Sequence, residues 1–310
     1  MFTIVVISIS LYGFYRITQT KKQLADRCFQ IVENRGLYSR QEFSLLPKEE
    51  VTIKSKDGHQ LHGYYIDAFP EQQDVVMIVH GYTVAYPWSM QFASVFLKKR
   101  FNLLVIDQRA HGESEGRYTT YGVQEKYDIE RWVEWLRTRK GRNVRIGFHG
   151  QSLGGGTVLE YSRLSDEIMF MIIDCSYADF SELVKYQIRR LYRVPLFPVY
   201  YLIQCWVYLF ARFKLSEVKP ITASASSKFP ILFIHGSHDW FIPPSMSKQL
   251  YDAKKVGKKE LVFIEGAGHG NSLPHNRKRY EQVVKNFLNE ISLEMNQSNK
   301  GDPIKIKQGL

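Results

Sequence analysis

The stretch Phe148-His149-Gly150-Gln151-Ser152-Leu153-Gly154-Gly155-Gly156 sets a serine between glycines at minus two and plus two. A serine hydroxyl alone is a poor nucleophile. It needs a base within hydrogen-bond reach, and the base needs a carboxylate to fix its tautomer and stabilise its cation. A sharp strand-to-helix turn would hold Ser152 in a strained backbone conformation with its hydroxyl exposed, and small residues two places away would give it clearance. The pattern G-x-S-x-G is weak by itself, so the surroundings must carry the reading. Nine histidines compete as base. His59 and His62 fall in a predicted hairpin and read as surface residues. His80 and His235 sit in His-Gly turns and read as satisfied strand-end residues. His111 and His238 could line a pocket. His269 and His275 follow the last predicted strand.

The elements that must position these groups alternate along the chain. Residues 51–55 and 60–68 alternate in polarity around Asp57-Gly58 and predict a hairpin. Short apolar runs at 74–79, 102–106, 144–148, 169–173, 230–234 and 261–264 predict buried strands. Helical spacing covers 88–99, 121–138, 153–163, 244–255 and 275–293. Strand–helix alternation implies an α/β fold with a mostly parallel sheet covered on both faces, edged by the antiparallel hairpin. Ser152 then ends a strand and opens a helix, as a nucleophile elbow requires. One connection breaks the rhythm. More than fifty residues separate the strand ending at Ile173 from the one beginning at Pro230. Connections this long are usually functional, and residues 194–211 hold no charge but many aromatics. A helical lid over about 177–225 is expected, with Tyr200, Trp206 and Phe210 facing substrate. A structural insert without substrate contact is the alternative.

"VHGYT" at 79–83, "DQRAHGESEG" at 107–116, "GQSLGG" at 150–155, "HGSHDWFIP" at 235–243 and "GAGHGN" at 266–271 stand in an order and spacing that resemble the α/β-hydrolase superfamily. Within it the chain is similar to bacterial membrane-anchored serine hydrolases of the BEM46-like and S9-peptidase-like group, including the staphylococcal fluorophosphonate-binding serine hydrolases. The resemblance covers most of residues 51–293 and implies an eight-stranded sheet. It implies His269 as base, with His275 in reserve. It implies Asp239 as the orienting acid, in the chain order Ser, Asp, His, with Asp174 as the alternative. The oxyanion hole would be the backbone N–H groups of Leu153 and Tyr82. Asp107, Arg109 and His111 read as structural support for the site. A serine nucleophile needs no cofactor or metal, and no ligand spacing such as H-E-x-x-H occurs.

The net charge is +11, from 42 Lys and Arg against 31 Asp and Glu. The excess falls in short clusters without a nucleic-acid motif, so nucleic acid is not expected as a partner and a membrane surface ranks above it. Three cysteines at wide spacing form neither a disulfide framework nor a zinc pattern. Residues 1–15 carry no charged side chain. As a helix they reach about 22 Å, and residues 16–20 extend the span to roughly the 30 Å of a hydrocarbon core. A single membrane anchor over 1–20 is expected, against a signal peptide or a buried helix. Arg16, Lys21, Lys22 and Arg27 follow it, so the positive-inside rule puts the domain in the cytoplasm. A helical connector (21–48), the hydrolase domain (49–295) and a polar tail (296–310) complete the organisation. The expected activity is cleavage of amphiphilic or lipid-like carboxylic esters through an acyl-enzyme. A peptidase or amidase, or a non-catalytic receptor on the same fold, are the rival readings.

Overall fold

A computed structural model describes residues 2–19 and 24–298. Eight strands form one sheet: β1 (Lys48–Lys54), β2 (Gln60–Ile66), β3 (Asp74–Val79), β4 (Asn102–Ile106), β5 (Arg145–Gln151), β6 (Phe170–Asp174), β7 (Ile231–Gly236) and β8 (Lys259–Ile264). Their order is β1-β2-β4-β3-β5-β6-β7-β8. β1 pairs antiparallel with β2, and β2 antiparallel with β4; every later pairing is parallel. The central strands are aliphatic on both faces because both faces are covered. Along β3, Val75, Met77 and Val79 enter one core while Val76 and Ile78 enter the other, the period of two that a pleated strand imposes.

The helices that matter for the site are α1 (Phe2–Thr18), α2 (Glu125–Lys140), α3 (Leu153–Tyr161), α4 (Phe180–Arg190), α5 (Leu196–Trp206), α6 (Pro244–Ala253) and α7 (Arg277–Ser298). Several boundaries depart from the sequence expectation, and α2 begins at Glu125 and ends at Lys140 where 121–138 was expected. The helix expected at 88–99 is broken into Tyr86–Ser89, a single 3₁₀ turn and Ala93–Leu97. α7 continues to Ser298, past the expected start of the tail at 296; the rest of that tail lies outside the described residues, as do residues 20–23 of the expected connector. The remainder of the connector contains two short helices, Ala25–Asn34 and Arg40–Ser44.

The N-terminal segment differs more. Among the described residues no single helix is long and apolar enough to cross a membrane, and the 17 residues of α1 span about 25 Å. α1 lies instead along α5. Its Gly13 lets Ile203 approach so closely that a Cβ would stand 2.6 Å from the Ile203 Cδ1. Trp206 Nε1 donates to Ser10 Oγ at 3.0 Å, and Phe14 is buried in the main core beside Phe210. The last carbonyls of a helix have no partner within it. Here those of Arg16, Ile17 and Thr18 accept from Tyr82 Oη at 2.7 Å, Tyr121 Oη at 2.8 Å and Thr119 N–H at 2.8 Å. The body of the protein thus caps α1.

If α1 is a structural part of the domain, Phe14→Ala lowers unfolding stability by about 3 kcal/mol, the usual cost of emptying a buried aromatic site. Denaturant titration of the full chain in solution measures this; an unchanged midpoint would mean that α1 contributes nothing to the folded body.

Candidate active site

Ser152 stands at the β5–α3 junction with φ 54° and ψ −113°. A side chain at such a φ is strained and persists only where the surroundings over-determine it. They do. The Ser152 N–H donates to the Asp174 carbonyl at 2.8 Å, and Ser176 Oγ donates to the Ser152 carbonyl at 3.0 Å. The turn is so tight that a Cβ on Gly150 would lie 2.5 Å from the Gly154 carbonyl oxygen, and one on Gly154 would fall onto the Val79 carbonyl. These glycines give clearance against backbone, which cannot move aside.

Three of the candidate residues meet. Ser152 Oγ lies 3.0 Å from His269 Nε2, and His269 Nδ1 lies 2.7 Å from Asp239 Oδ2. Ser152 follows β5, Asp239 the end of β7 and His269 the end of β8, so three parallel strands deliver them to one sheet edge. Asp239 is completely satisfied. Phe241 and Ile242 N–H donate to Oδ1, each at 2.9 Å, and His235 Nε2 reaches Oδ2 at 3.1 Å. Burial alone would raise its carboxyl pKa; hydrogen bonds from His235 and His269 outweigh that and hold it at about 2. The group therefore stays anionic, as an orienter of an imidazole must.

Asp174 does not join this chain. Its carboxylate accepts from Ser272 Oγ at 3.2 Å and from Gln151 Nε2 at 3.4 Å, while the hydrogen bonds of His269 go to Ser152 and Asp239. His275 is exposed on a short helix, Ser272–His275.

Leu153 is the first residue of α3, where helix N–H groups lack internal acceptors and the helix dipole favours negative charge. Tyr82, in the loop after β3, lines the same cavity as Ser152, Leu153 and His269. Its hydroxyl is committed to the Arg16 carbonyl, which leaves its main chain as the group available at the site.

The cavity holds about 550 Å³. α4 contributes Leu183, Val184, Gln187 and Ile188, α5 contributes Val199 and Ile203, and α1 contributes Ile9, Tyr12, Gly13, Arg16 and Ile17. The insertion between β6 and β7 supplies α4 and α5 to the cavity wall, but the residues facing the cavity are others than Tyr200, Trp206 and Phe210. Tyr200 is buried against Ser181, 2.6 Å from its Oγ. Trp206 turns to Ser10, and Phe210 packs on Phe14. Aromatic density singled out the face of α5 that meets α1 and solvent. The informative signal was the spacing of 183, 184, 187 and 188 on one side of α4.

His62, His111 and His238 also land differently. His62 is buried, with Nδ1 3.2 Å from Asp107 Oδ2 and Nε2 2.9 Å from Glu50 Oε1. A hairpin residue becomes interior here because β2 pairs with β4 and the loop after β4 folds over it. His111 and His238 do not line the cavity. His80 is satisfied, accepting from the Gln108 N–H at 3.0 Å and donating to the Gly81 carbonyl at 2.7 Å. His235, read as a bland strand-end residue, supports Asp239 and accepts from Ser247 Oγ at 2.6 Å; its place four residues before the acid was the available sign. Asp107 accepts the Tyr86 N–H at 2.6 Å and the Glu113 N–H at 3.0 Å. Arg109 forks onto Asp128 at 2.6 and 2.7 Å, tying the loop after β4 to α2.

Among the described residues, Cys175, Asp239 and His269 bring atoms of metal-ligand type within 4.8 Å of one another. A cation there would have to break the His269–Asp239 hydrogen bond, so the donors are already employed.

A family model for the α/β hydrolase fold matches residues 74–197. Protein YqkD of Bacillus subtilis is 32% identical over 289 residues, covering 93% of this chain and 94% of that protein. Protein YfhR of Salmonella typhimurium is 27% identical over 234 residues, with 70% and 73% covered. Among solved structures, the Pyrococcus furiosus esterase Pf2001 superposes with a TM-score of 0.69 at 22% identity, covering 88% of this chain and 98% of that one. The Pyrococcus horikoshii acylaminoacyl peptidase gives 0.61 at 19% identity, with 80% of this chain but 42% of the peptidase covered. The chain belongs to the α/β-hydrolase family.

The buried Asp174 yields a pH test. Burial raises its carboxyl pKa to about 6, above the ordinary value of 3.8, so the folded state holds a proton that the unfolded state releases between these values. Stability therefore falls as pH rises through that window. In Asp174→Asn this carboxyl's share of the fall is absent while that of Asp128, whose buried carboxyl is also raised to about 6, remains, so unfolding free energy falls less between about pH 4 and 6 than in the wild type. Denaturant midpoints at a series of pH values read it; an unchanged curve contradicts the assignment.

Proposed function

We propose that the protein is a serine esterase acting on carboxylic esters with an apolar acyl chain. The observation that carries this is the continuous hydrogen-bonded chain Ser152–His269–Asp239 at the floor of a largely apolar cavity. Ser152 Oγ attacks the ester carbonyl while His269 Nε2 takes its proton. Asp239, anionic and fixed by four donors, holds the Nδ1–H of His269 and stabilises the imidazolium. The Leu153 and Tyr82 N–H groups receive the oxyanion. Collapse of the tetrahedral intermediate expels the alkoxide, which takes the proton from His269. Water then repeats the sequence on the acyl-enzyme, releasing the acid and restoring the Ser152 hydroxyl. No cofactor enters these steps. The acyl chain lies against Leu183, Val184, Ile188 and Ile203, where its transfer from water contributes roughly 0.8 kcal/mol per buried methylene.

The resemblance of the site motifs to membrane-anchored serine hydrolases supports the same reading, as does the fold shared with an archaeal esterase. Amide cleavage uses the same groups, so it is tested as a rival outcome.

The test is a series of 4-nitrophenyl esters of rising acyl length beside the matched anilides. We expect kcat/KM to rise from acetate to medium-chain esters and anilides to be far slower. Ser152→Ala lowers kcat by at least about 10³, Asp239→Asn by on the order of 10⁴, and Asp174→Asn leaves most of the activity. Turnover by Ser152→Ala equal to wild type, or a larger loss at Asp174 than at Asp239, would overturn the assignment. Faster anilides would make it an amidase.

A further inference from the structure

α1 and α5 lie side by side, and their outer faces carry large apolar side chains into solvent: Ile4, Leu11 and Tyr15 on one, Phe197 and Tyr201 on the other, continued by Tyr208. Phe197 is 76% exposed. A contiguous apolar face of this kind is uncommon on a free soluble surface and marks an interaction site.

Charge says what it meets. No Asp or Glu occurs in residues 1–25 or 184–216, the two segments that build this face. Arg16, Arg189 and Arg190 stand in the last turns of their helices, Arg193 in the α4–α5 link and Arg212 just after the turn that follows α5, and among the described residues none has a carboxylate in ion-pair range. Many of the arginines elsewhere are paired, among them Arg40 with Asp26, Arg137 with Glu167 and Arg145 with Asp74. Apolar faces bordered by unneutralised arginines fit an anionic lipid surface, with rings in the interface and guanidinium groups at the phosphates.

The cavity opens on the same face. Tyr12 and Arg16 of α1 and Tyr192 of the α4–α5 link line it and are themselves exposed, so they mark its mouth.

We propose that the outer faces of α1, α5 and the turn after α5 dock the protein on an anionic membrane surface without spanning it, with the cavity mouth held against the lipid. An acyl chain then passes from the bilayer into the cavity without crossing water. The cavity's use as an acyl site rests on the esterase reading; the docking itself does not.

The test sediments the full chain with phosphatidylglycerol–phosphatidylcholine vesicles and with phosphatidylcholine vesicles alone. Two variants accompany it: Phe197→Ser/Tyr201→Ser/Tyr208→Ser, and Arg189→Gln/Arg190→Gln/Arg193→Gln. None of these residues lines the cavity. Each arginine near an anionic surface strengthens partitioning roughly fivefold. We expect the wild type to bind the anionic vesicles, to be released by alkaline carbonate, and to lose at least about tenfold in binding in either variant. Both variants should hydrolyse soluble 4-nitrophenyl acetate at the wild-type rate. Equal binding to both vesicle types, binding that survives carbonate as a spanning helix would, variants that bind like wild type, or a dimer closed over this face and indifferent to vesicles each overturn the proposal. Absent ester turnover with intact vesicle binding would instead count against the esterase reading alone.

Discussion

The backbone of Ser152 is the constraint on which the site depends. Its φ of 54° is tolerable only because β5 ends and α3 begins at that residue, and because backbone from β3, the end of β6 and α3 closes in on it. The parallel sheet is what makes this possible. It puts β5 at the centre with β3 on one side and β6 on the other, so the elbow is braced from both sides and the strand ends deliver Asp239 and His269 to the same edge. Rigidity there also fixes the direction in which the hydroxyl points, and the 3.0 Å approach to His269 follows from it.

A second dependence runs from the elbow outward. Tyr82 belongs to the loop that faces Ser152, and its hydroxyl closes the end of α1. Tyr121 and Thr119 do the same from the segment before α2. The N-terminal helix is therefore held by the loops that shape the cavity, and it forms part of the cavity wall. Whatever contacts the outside of α1 bears on the inside of the site through one helix thickness.

Much of this was legible in the sequence, for physical reasons that can be named. β3, β4 and β6 are short aliphatic runs because both faces of the sheet are covered, and such runs are hard to mistake. That Ser152, His269 and Asp239 meet was legible because each follows a strand whose end lies at the same sheet edge. The lid's cavity-facing residues were not legible from composition. Aromatic content marks what an element buries somewhere, and in α5 much of it is spent on α1 or left at the surface. The place of α1 was invisible for a related reason. The packing of an uncharged apolar helix at the N-terminus cannot be read from its composition, because its partners Tyr82, Tyr121 and Trp206 are distant in sequence. His62 is buried where a surface residue was expected because its partner Asp107 becomes a neighbour only after the sheet forms; His235 is the satisfied strand-end residue expected, and only its contact with Asp239 needed the fold to be seen.

The central claim is that Ser152 is an activated nucleophile. Treatment of the full chain with a fluorophosphonate, followed by peptide mass spectrometry, tests it most directly. The account predicts one phosphonyl adduct, formed with loss of fluoride, on the peptide containing Ser152, and none in folded Ser152→Ala. A folded wild-type protein that stays unlabelled, or carries its adduct on another residue, would contradict it.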